Sequence, residues 1–430
     1  MNTEAETMIF FSLHYPFHFT DSYLDEEINL LASKFKKVIV ISSNTFSEEK
    51  RAVPSNVIVY RFSPVVNLGL RTASLSLLGN PIFYKNIFQL IFKHKIGFSL
   101  LAVKELFAFY SRALSIRNFL EQVIEEQQVE KNKLLIYTYW MVESTMAAVL
   151  LKKETPSIKV ISKAHSQDVY FERSPVKYHP FRKYIFEELN RLFFISDDAR
   201  KYFIKKHGLT KKEEERISIS RIGIDGANEN YISQSSEQVL RIISVAYIQK
   251  IKRVDLIIDA LALIKDVQIE WYHAGHSNQS ETEFEELKKY ATEKLLPLLN
   301  ISFSFLGKTA KEELFRLYQE KRFDLFLNVS ETEGIPVSMM EAMSYSVPVI
   351  GTNVGGVAEI VVDSLNGFLL SPYPDANEVM QAIKQFEKLS VEKKNALREN
   401  AFNTWDTKYN GKKNNRQFVQ EVELMLGVSE

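Results

Sequence analysis

The 430-residue chain contains no cysteine. That excludes a disulfide framework, Cys-ligated zinc, an iron–sulfur cluster and a thiol nucleophile, and it fits a reducing compartment. Net charge is missing as well, because 54 Lys and Arg balance 54 Asp and Glu. A dedicated nucleic-acid binder normally carries a basic excess, so no nucleic-acid partner is expected. No stretch approaches the ~18 uncharged apolar residues of a spanning helix. The start, MNTEAETMIFF, is acidic where a secretory signal needs basic residues. The chain is therefore expected to be soluble or membrane-peripheral. No internal repeat has the period of a solenoid or propeller.

What is present is a globular composition, 45% hydrophobic, long enough for two domains or more. The zero charge hides a split. Residues 1–228 hold 32 basic and 25 acidic residues, whereas 229–430 hold 22 and 29, which suggests two domains with different partners. Short apolar runs (MIFFSLHYP, KKVIVISS, KLLIYTYW, KVISKAH, RLFFISD) alternate with amphipathic stretches such as DEEINLLASKF. A second series (LRIISVAYI, IEWYHAG, ISFSFLG, DLFLNVS, PVIGT) starts near residue 240, with VDLIIDALALIK and KEELFRLYQEK as helices. Buried strands alternating with helices predict an α/β fold of two Rossmann-like, doubly wound domains. The polar stretch at 226–238 reads as the linker. Ligands of such sheets sit at the carboxyl ends of the strands, so the active site is expected in a central cleft that both domains face.

The most informative segment is SETEGIPVSMMEAMSYSVPVIGTNVGGVAEIVVDSLNG, Ser330 to Gly367. It follows a strand. Gly334 lets a ligand approach the backbone closely. Pro336 suits a first helical turn. The free N–H groups of the helix through Val337, Met340, Ala342 and Met343 suit a diphosphate. Glu333 precedes the helix and Glu341 lies within it, so one carboxylate sits at the phosphate end and the other further along. Carboxylates accept well from sugar hydroxyls. The plainer alternative is a capped surface helix with two solvated glutamates.

This segment closely resembles the signature of retaining glycosyltransferases of family 4, which have the GT-B fold. The matches are Glu333-x7-Glu341, Glu341–Ile350, Val354–Gly356, Glu359 and Asn366–Gly367. By that resemblance Glu333 binds donor-sugar hydroxyls and Glu341 the ribose. The backbone of Gly334, Ile335, Pro336 and Val337 holds sugar and diphosphate. Glu331 reads as solvated. A second family signature, an Arg and then a Lys five residues on, maps to Tyr247 and Lys252. Lys252 fits; Tyr247 departs, leaving Lys250 or Arg253 to supply the missing cation or to stand as loop residues. Arg253 occupies the family's usual glycine. His165, at a strand end in KVISKAHSQDVYFER, resembles the family's histidine that faces the donor sugar, with Asp168 and Tyr170 orienting it or meeting the acceptor. Gly307, after ISFSF, takes the place of a loop near the nucleotide base. The first loop, HYPFHFTDSYLDEE, lacks the family's glycines, and its Thr20 and Asp21 are candidate contacts.

The resemblance implies an N-terminal acceptor domain over 1–228, a donor domain over 229–400, and a final segment, 401–430, whose helix crosses back, with Trp405 and Phe418 as packing residues. It implies no cofactor and no metal. The co-substrate is a UDP- or GDP-linked sugar and the acceptor a saccharide or lipid-linked saccharide. The reaction is retaining transfer in polysaccharide or lipid-linked oligosaccharide assembly. The place of action is the cytoplasm or the inner face of the cell membrane. Segment 66–118, with seven basic residues, one acid and interleaved Phe and Leu, either docks on an anionic membrane or packs as domain core. Other readings are a GT-B sugar-nucleotide epimerase and a non-catalytic GT-B partner.

Overall fold

A computed structural model describes residues 5–17, 24–43, 50–63, 78–79, 81–88, 100–227, 238–277 and 280–427. The chain divides into two units, Met1–Ile222 with Asn414–Glu430, and Gly223–Lys413. The division falls at 222/223, and the last residues, Asn414–Glu430, group with the first unit. Most of the expected linker lies outside the described residues.

The first unit is built on seven parallel strands: β1 (Thr7–Ser12), β2 (Lys37–Ser42), β3 (Val57–Arg61), β4 (Leu134–Thr138), β5 (Lys159–Ala164), β6 (Arg191–Phe194) and β7 (Ile217–Ile219). Their order is β3-β2-β1-β4-β5-β6-β7. The second unit has six: β8 (Leu240–Val245), β9 (Ile269–Ala274), β10 (Ile301–Gly307), β11 (Leu325–Asn328), β12 (Val349–Thr352) and β13 (Gly367–Leu370), ordered β10-β9-β8-β11-β12-β13. All pairs are parallel. Central strands such as β1 and β4 are buried along almost their whole length, because helices cover both faces of a parallel sheet.

Both sheets reverse direction of winding between their first and fourth strands, β1/β4 and β8/β11. Connections leave such a pair on opposite faces, which opens a crevice at the strand carboxyl ends. The fold therefore fixes where each unit can hold a ligand.

The helix Leu24–Ala32 buries Ile28 and Leu31 at helical spacing, and Phe35 packs just beyond its end. The helix Gly411–Met425 turns Phe418, Val419 and Val422 onto the first sheet. There the Phe418 ring lies 4.8 Å from Phe193 and 4.0 Å from the Lys163 ammonium. Trp405 is buried too, but in the core of the second unit. Among the described residues, no helix is long and apolar enough to cross a membrane.

Candidate functional site

In the second unit the crevice between β8 and β11 is lined by two loops. The loop after β8 ends in a short 3-10 turn, Lys250–Lys252, and the loop after β11 runs into the helix Val337–Ser344. The backbone N–H of Glu331 donates to the carbonyl of Ile251 at 2.8 Å, tying the loops together. Across that tie Lys252 Nζ donates to Glu333 Oε1 at 2.7 Å, and Asn328 Nδ2 donates to the same oxygen at 3.1 Å. One carboxylate oxygen is thus committed to an ammonium and an amide from the ends of β8 and β11. Pro336 caps the helix rather than entering its first turn and supplies no side-chain cap, while the Met339 N–H donates to Pro336 O at 3.2 Å. A helix start of this kind suits an anion.

The two glycines of the Val354–Gly356 match carry the loop from below. Gly355 has φ +54°, and a Cβ there would sit 1.9 Å from the Glu333 carbonyl oxygen. Gly356 donates its N–H to Gly334 O at 2.8 Å. Gly334 itself has nothing within 4 Å of the space a Cβ would fill. The loop is therefore packed tightly on one side and open on the other, which is the geometry that admits a ligand to the backbone. Asn366 and Gly367 have a different use. The Asn366 amide bonds Ile360 O and Thr404 Oγ1, each at 2.9 Å, and a Cβ on Gly367 would strike the β12 backbone.

These loops border a cavity of about 860 Å³ whose lining includes Lys252, Lys308, Glu333 and Glu341, within the size range of small-molecule sites. Ile335, Pro336 and Val337 also line it. Burial pushes the Glu341 carboxyl up to about 7, against the opposing pull of Lys311. With two lysines and a helix start facing the cavity, it can hold a diphosphate locally although this half of the sequence is acidic.

Several expected residues sit otherwise. Gly307 has φ +67° and receives the Gly275 N–H at 2.9 Å. It shapes the turn, and its neighbour Lys308 reaches the cavity. Arg253 adopts φ +50°, the conformation for which glycine is the usual choice, and its guanidinium donates to Pro374 O at 2.9 Å. It does not line the cavity, and neither does Lys250. Tyr247 does, and is half exposed; Glu331 is exposed. Lys308, His276 and Asn328 are cavity residues that the sequence reading passed over. Each follows or ends a strand, and strand-end position was the signal that could have found them.

His165 belongs to the first unit, at the end of β5. It is 3% exposed, its ring stacks on Trp140 at 4.1 Å, and Nε2 lies 2.9 Å from Tyr139 O. Burial, and then the nearby Lys163 charge, push its pKa down to about 3, so the imidazole is neutral. Asp168 does not orient the ring. Its carboxylate accepts the backbone N–H groups of His165 at 2.5 Å and Met141 at 2.6 Å, pinning the end of β5 to the end of β4. Tyr170 donates to Asp198 at 2.5 Å.

Thr20 and Asp21 lie outside the described residues, as do 66–77, 80 and 89–99 of segment 66–118. In the remainder of that segment Leu106 and Phe109 are core residues. Lys85 pairs with Glu187, Arg112 with Glu105 and Glu143, and Arg117 with Glu121 and Glu154. Tyr84, Phe88, Leu100 and Leu101 are each at least 60% exposed.

Comparison with known proteins accords with this geometry. Residues 228–404 match the family described as glycosyl transferases group 1. An uncharacterised glycosyltransferase of Methanocaldococcus jannaschii is 24% identical over 263 residues, 61% of this chain and 67% of the relative. An amylovoran biosynthesis glycosyltransferase of Erwinia amylovora is 29% identical over 171 residues, 38% of this chain and 40% of the relative. Among solved structures, the Anabaena protein HepE in complex with UDP-glucose superposes with a TM-score of 0.56 at 16% identity, covering 97% of this chain and 99% of that one.

Proposed function

We propose that the chain is a glycosyltransferase of GT-B fold, as its likeness to the glycosyl transferases group 1 family and to a bacterial polysaccharide-biosynthesis enzyme supports, and that it transfers a sugar from a UDP- or GDP-linked donor to an acceptor hydroxyl with retention of configuration. The observation that carries the reading is the Lys252–Glu333 pair at a helix start without a side-chain cap, beside the open face of Gly334.

In this reading the diphosphate lies against the N–H groups of the Val337 helix and against Lys252. Lys308 adds a second cation that stands in for the one absent at Tyr247. Glu333 accepts from the donor sugar and Glu341 from the ribose. The bond from the sugar's anomeric carbon to the diphosphate oxygen breaks, and a bond from that carbon to the acceptor oxygen forms on the same face. The acceptor's proton passes to the departing diphosphate. The protein's contribution is fixed positive charge where negative charge develops. His165, neutral and with Nε2 against Tyr139 O, is not a titrating base in this reading.

The acceptor in this reading is a saccharide or lipid-linked saccharide of a cell-surface polymer, as the amylovoran relative suggests. The exposed Tyr84, Phe88, Leu100 and Leu101 favour docking of that unit on an anionic membrane face. Co-sedimentation with anionic vesicles at low salt is expected, and its absence would remove this part of the reading. The main test is a panel of UDP- and GDP-sugars, following release of the nucleoside diphosphate and the anomeric signal of the product by NMR. Release that depends on a saccharide acceptor, with a retained anomer, supports transfer. Acceptor-independent release of free nucleotide would point to the epimerase, and no release from any donor to a non-catalytic partner.

A further inference from the structure

The outer strands of the two sheets, β3, β7, β10 and β13, are not protected alike. An unpaired strand edge is a template for another chain, and folded proteins blunt it by brevity, charge, proline or a cover. β3 ends in the exposed Arg61. β7 has three residues and stands between Arg216 and Arg221, and β13 has four. β10 has seven, Ile301–Gly307, reading ISFSFLG, with neither charge nor proline. Along it Ser302, Ser304 and Leu306 are exposed, and Phe303 and Phe305 are half-buried.

β10 pairs with β9 alone, and the register shifts only past Phe305, so the strand is regular from Ile301 to Phe305. The Ile269 N–H donates to Asn300 O, and in a parallel ladder alternate residues turn both backbone groups to the same side. Ser302 and Ser304 therefore face β9 as Asn300 does. Phe303 and Phe305 turn their N–H and C=O outward, where nothing bonds them among the described residues. Two donors and two acceptors thus stand in a row on an uncharged edge.

That edge is complementary to itself. Two identical strands about a two-fold axis run antiparallel, and each residue contact occurs twice. With the axis at Ser304, Phe303 of one copy stands opposite Phe305 of the other. All the outward backbone groups then find partners, and each Phe–Phe match is an aromatic cross-strand pair. On the other face Leu306 meets Ser302, and Ser304 meets its own copy. The flanking helix Glu281–Leu295, which sets Phe284 6.1 Å from Phe305, is complementary as well. Its exposed charges begin with Glu281, Glu285 and Glu286 and pass to Lys288 and Lys289. The same axis reverses one such helix against the other and sets acid toward base.

We propose that two copies of the chain associate through β10, antiparallel about a two-fold axis at Ser304, so that the sheets of their second units run on as one. The inference rests on the strand edge and not on the glycosyl-transfer reading.

The chain contains no cysteine, so single-cysteine variants of the full protein report the contact without background. Opposite residues of a non-hydrogen-bonded antiparallel pair have Cα atoms about 4.5 Å apart, within the roughly 4.4–6.8 Å that a disulfide spans. Ser304→Cys should therefore give a covalent dimer on oxidation with copper phenanthroline, while Ser33→Cys, exposed in the first unit, stays monomeric. Sedimentation velocity of the parent across the micromolar range should show a species of twice the 49.8 kDa chain mass. Ser304→Lys, which sets two ammonium groups together at the axis, should abolish that species and leave the circular dichroism spectrum unchanged. A parent that stays monomeric throughout, Ser304→Cys cross-linking no better than Ser33→Cys, or a dimer undiminished by Ser304→Lys would overturn the proposal.

Discussion

At the residue scale Glu341 is the most exposed to a pH test. Its carboxyl is pushed up by burial to about 7, and the proposed acceptance from ribose hydroxyls requires the ionised form. Donor KM should rise as pH falls through 7, and the rise should be blunted in Glu341→Gln. Stability runs the other way. A carboxyl that titrates higher folded than unfolded stabilises the fold below its unfolded pKa, and that contribution is lost as pH climbs from 4.5 towards 7. Glu341→Gln should therefore gain melting temperature relative to the parent at about pH 8 and not at about pH 4.5. A constant difference between the two would contradict the burial account. The neutral His165, by contrast, should put no inflection of its own into the rate profile between about pH 5 and 8, and an inflection removed by His165→Asn would show that it titrates there after all.

At the element scale the loop carrying Glu333 and Gly334, proposed to hold the donor, is held by backbone packing as much as by charge. Gly355→Ala would drive a methyl group into the Glu333 carbonyl and add strain at a positive φ. Such sites cost about 1–3 kcal/mol. The loop carrying Glu333 and Gly334 should move before the sheet does, so donor affinity is expected to fall more than the melting temperature; unchanged donor affinity would argue that the loop is not clamped from that side. A second element-scale contact is the buried pair beneath β11, where Arg398 of the helix Val391–Thr404 donates to Asp324 at 2.5 Å. Arg398→Met leaves Asp324 buried without its cation, which costs about 3–5 kcal/mol. Thermal unfolding would read that directly, and a melting temperature within a degree or so of the parent would show the pair to be dispensable.

Elements also explain what the sequence could and could not disclose. The interior strands were legible because a strand buried on both faces is a continuous apolar run, as in IIS of β8 or LLIYT of β4. The strands that escaped, β3, β7 and β13, are edges. β3 and β7 are half-buried along most of their length, and β13 is four residues long. The motif residues around Glu333 were found because a glycine, a proline and two glutamates stand at fixed offsets. Lys308 was not, because its place in the cavity depends on the turn at Gly307 and on a neighbouring strand far away in the sequence. Nor could residue order reveal that Arg253 faces Pro374, or that Asp168 binds backbone rather than the His165 ring.

At the scale of the whole chain, a winding of the same order recurs in each unit, and the chain ends in the first unit with Asn414–Glu430. Phe418 of the helix Gly411–Met425 packs between Tyr137 and Phe193. Phe418→Ala should cost about 3–5 kcal/mol, read as lowered stability of the first unit with nucleotide affinity of the second retained. The charge split of the sequence acquires a local meaning here. The acidic second half still offers a diphosphate Lys252, Lys308 and a helix start, and in the first half Lys85, Arg112 and Arg117 are spent on ion pairs. The measurement that bears most directly on the central claim is donor turnover by Lys252→Ala and Glu341→Ala, each verified as folded by circular dichroism, against the parent with its preferred UDP- or GDP-sugar. The account predicts that each variant loses turnover by at least about a hundredfold; near-normal turnover in either would contradict it.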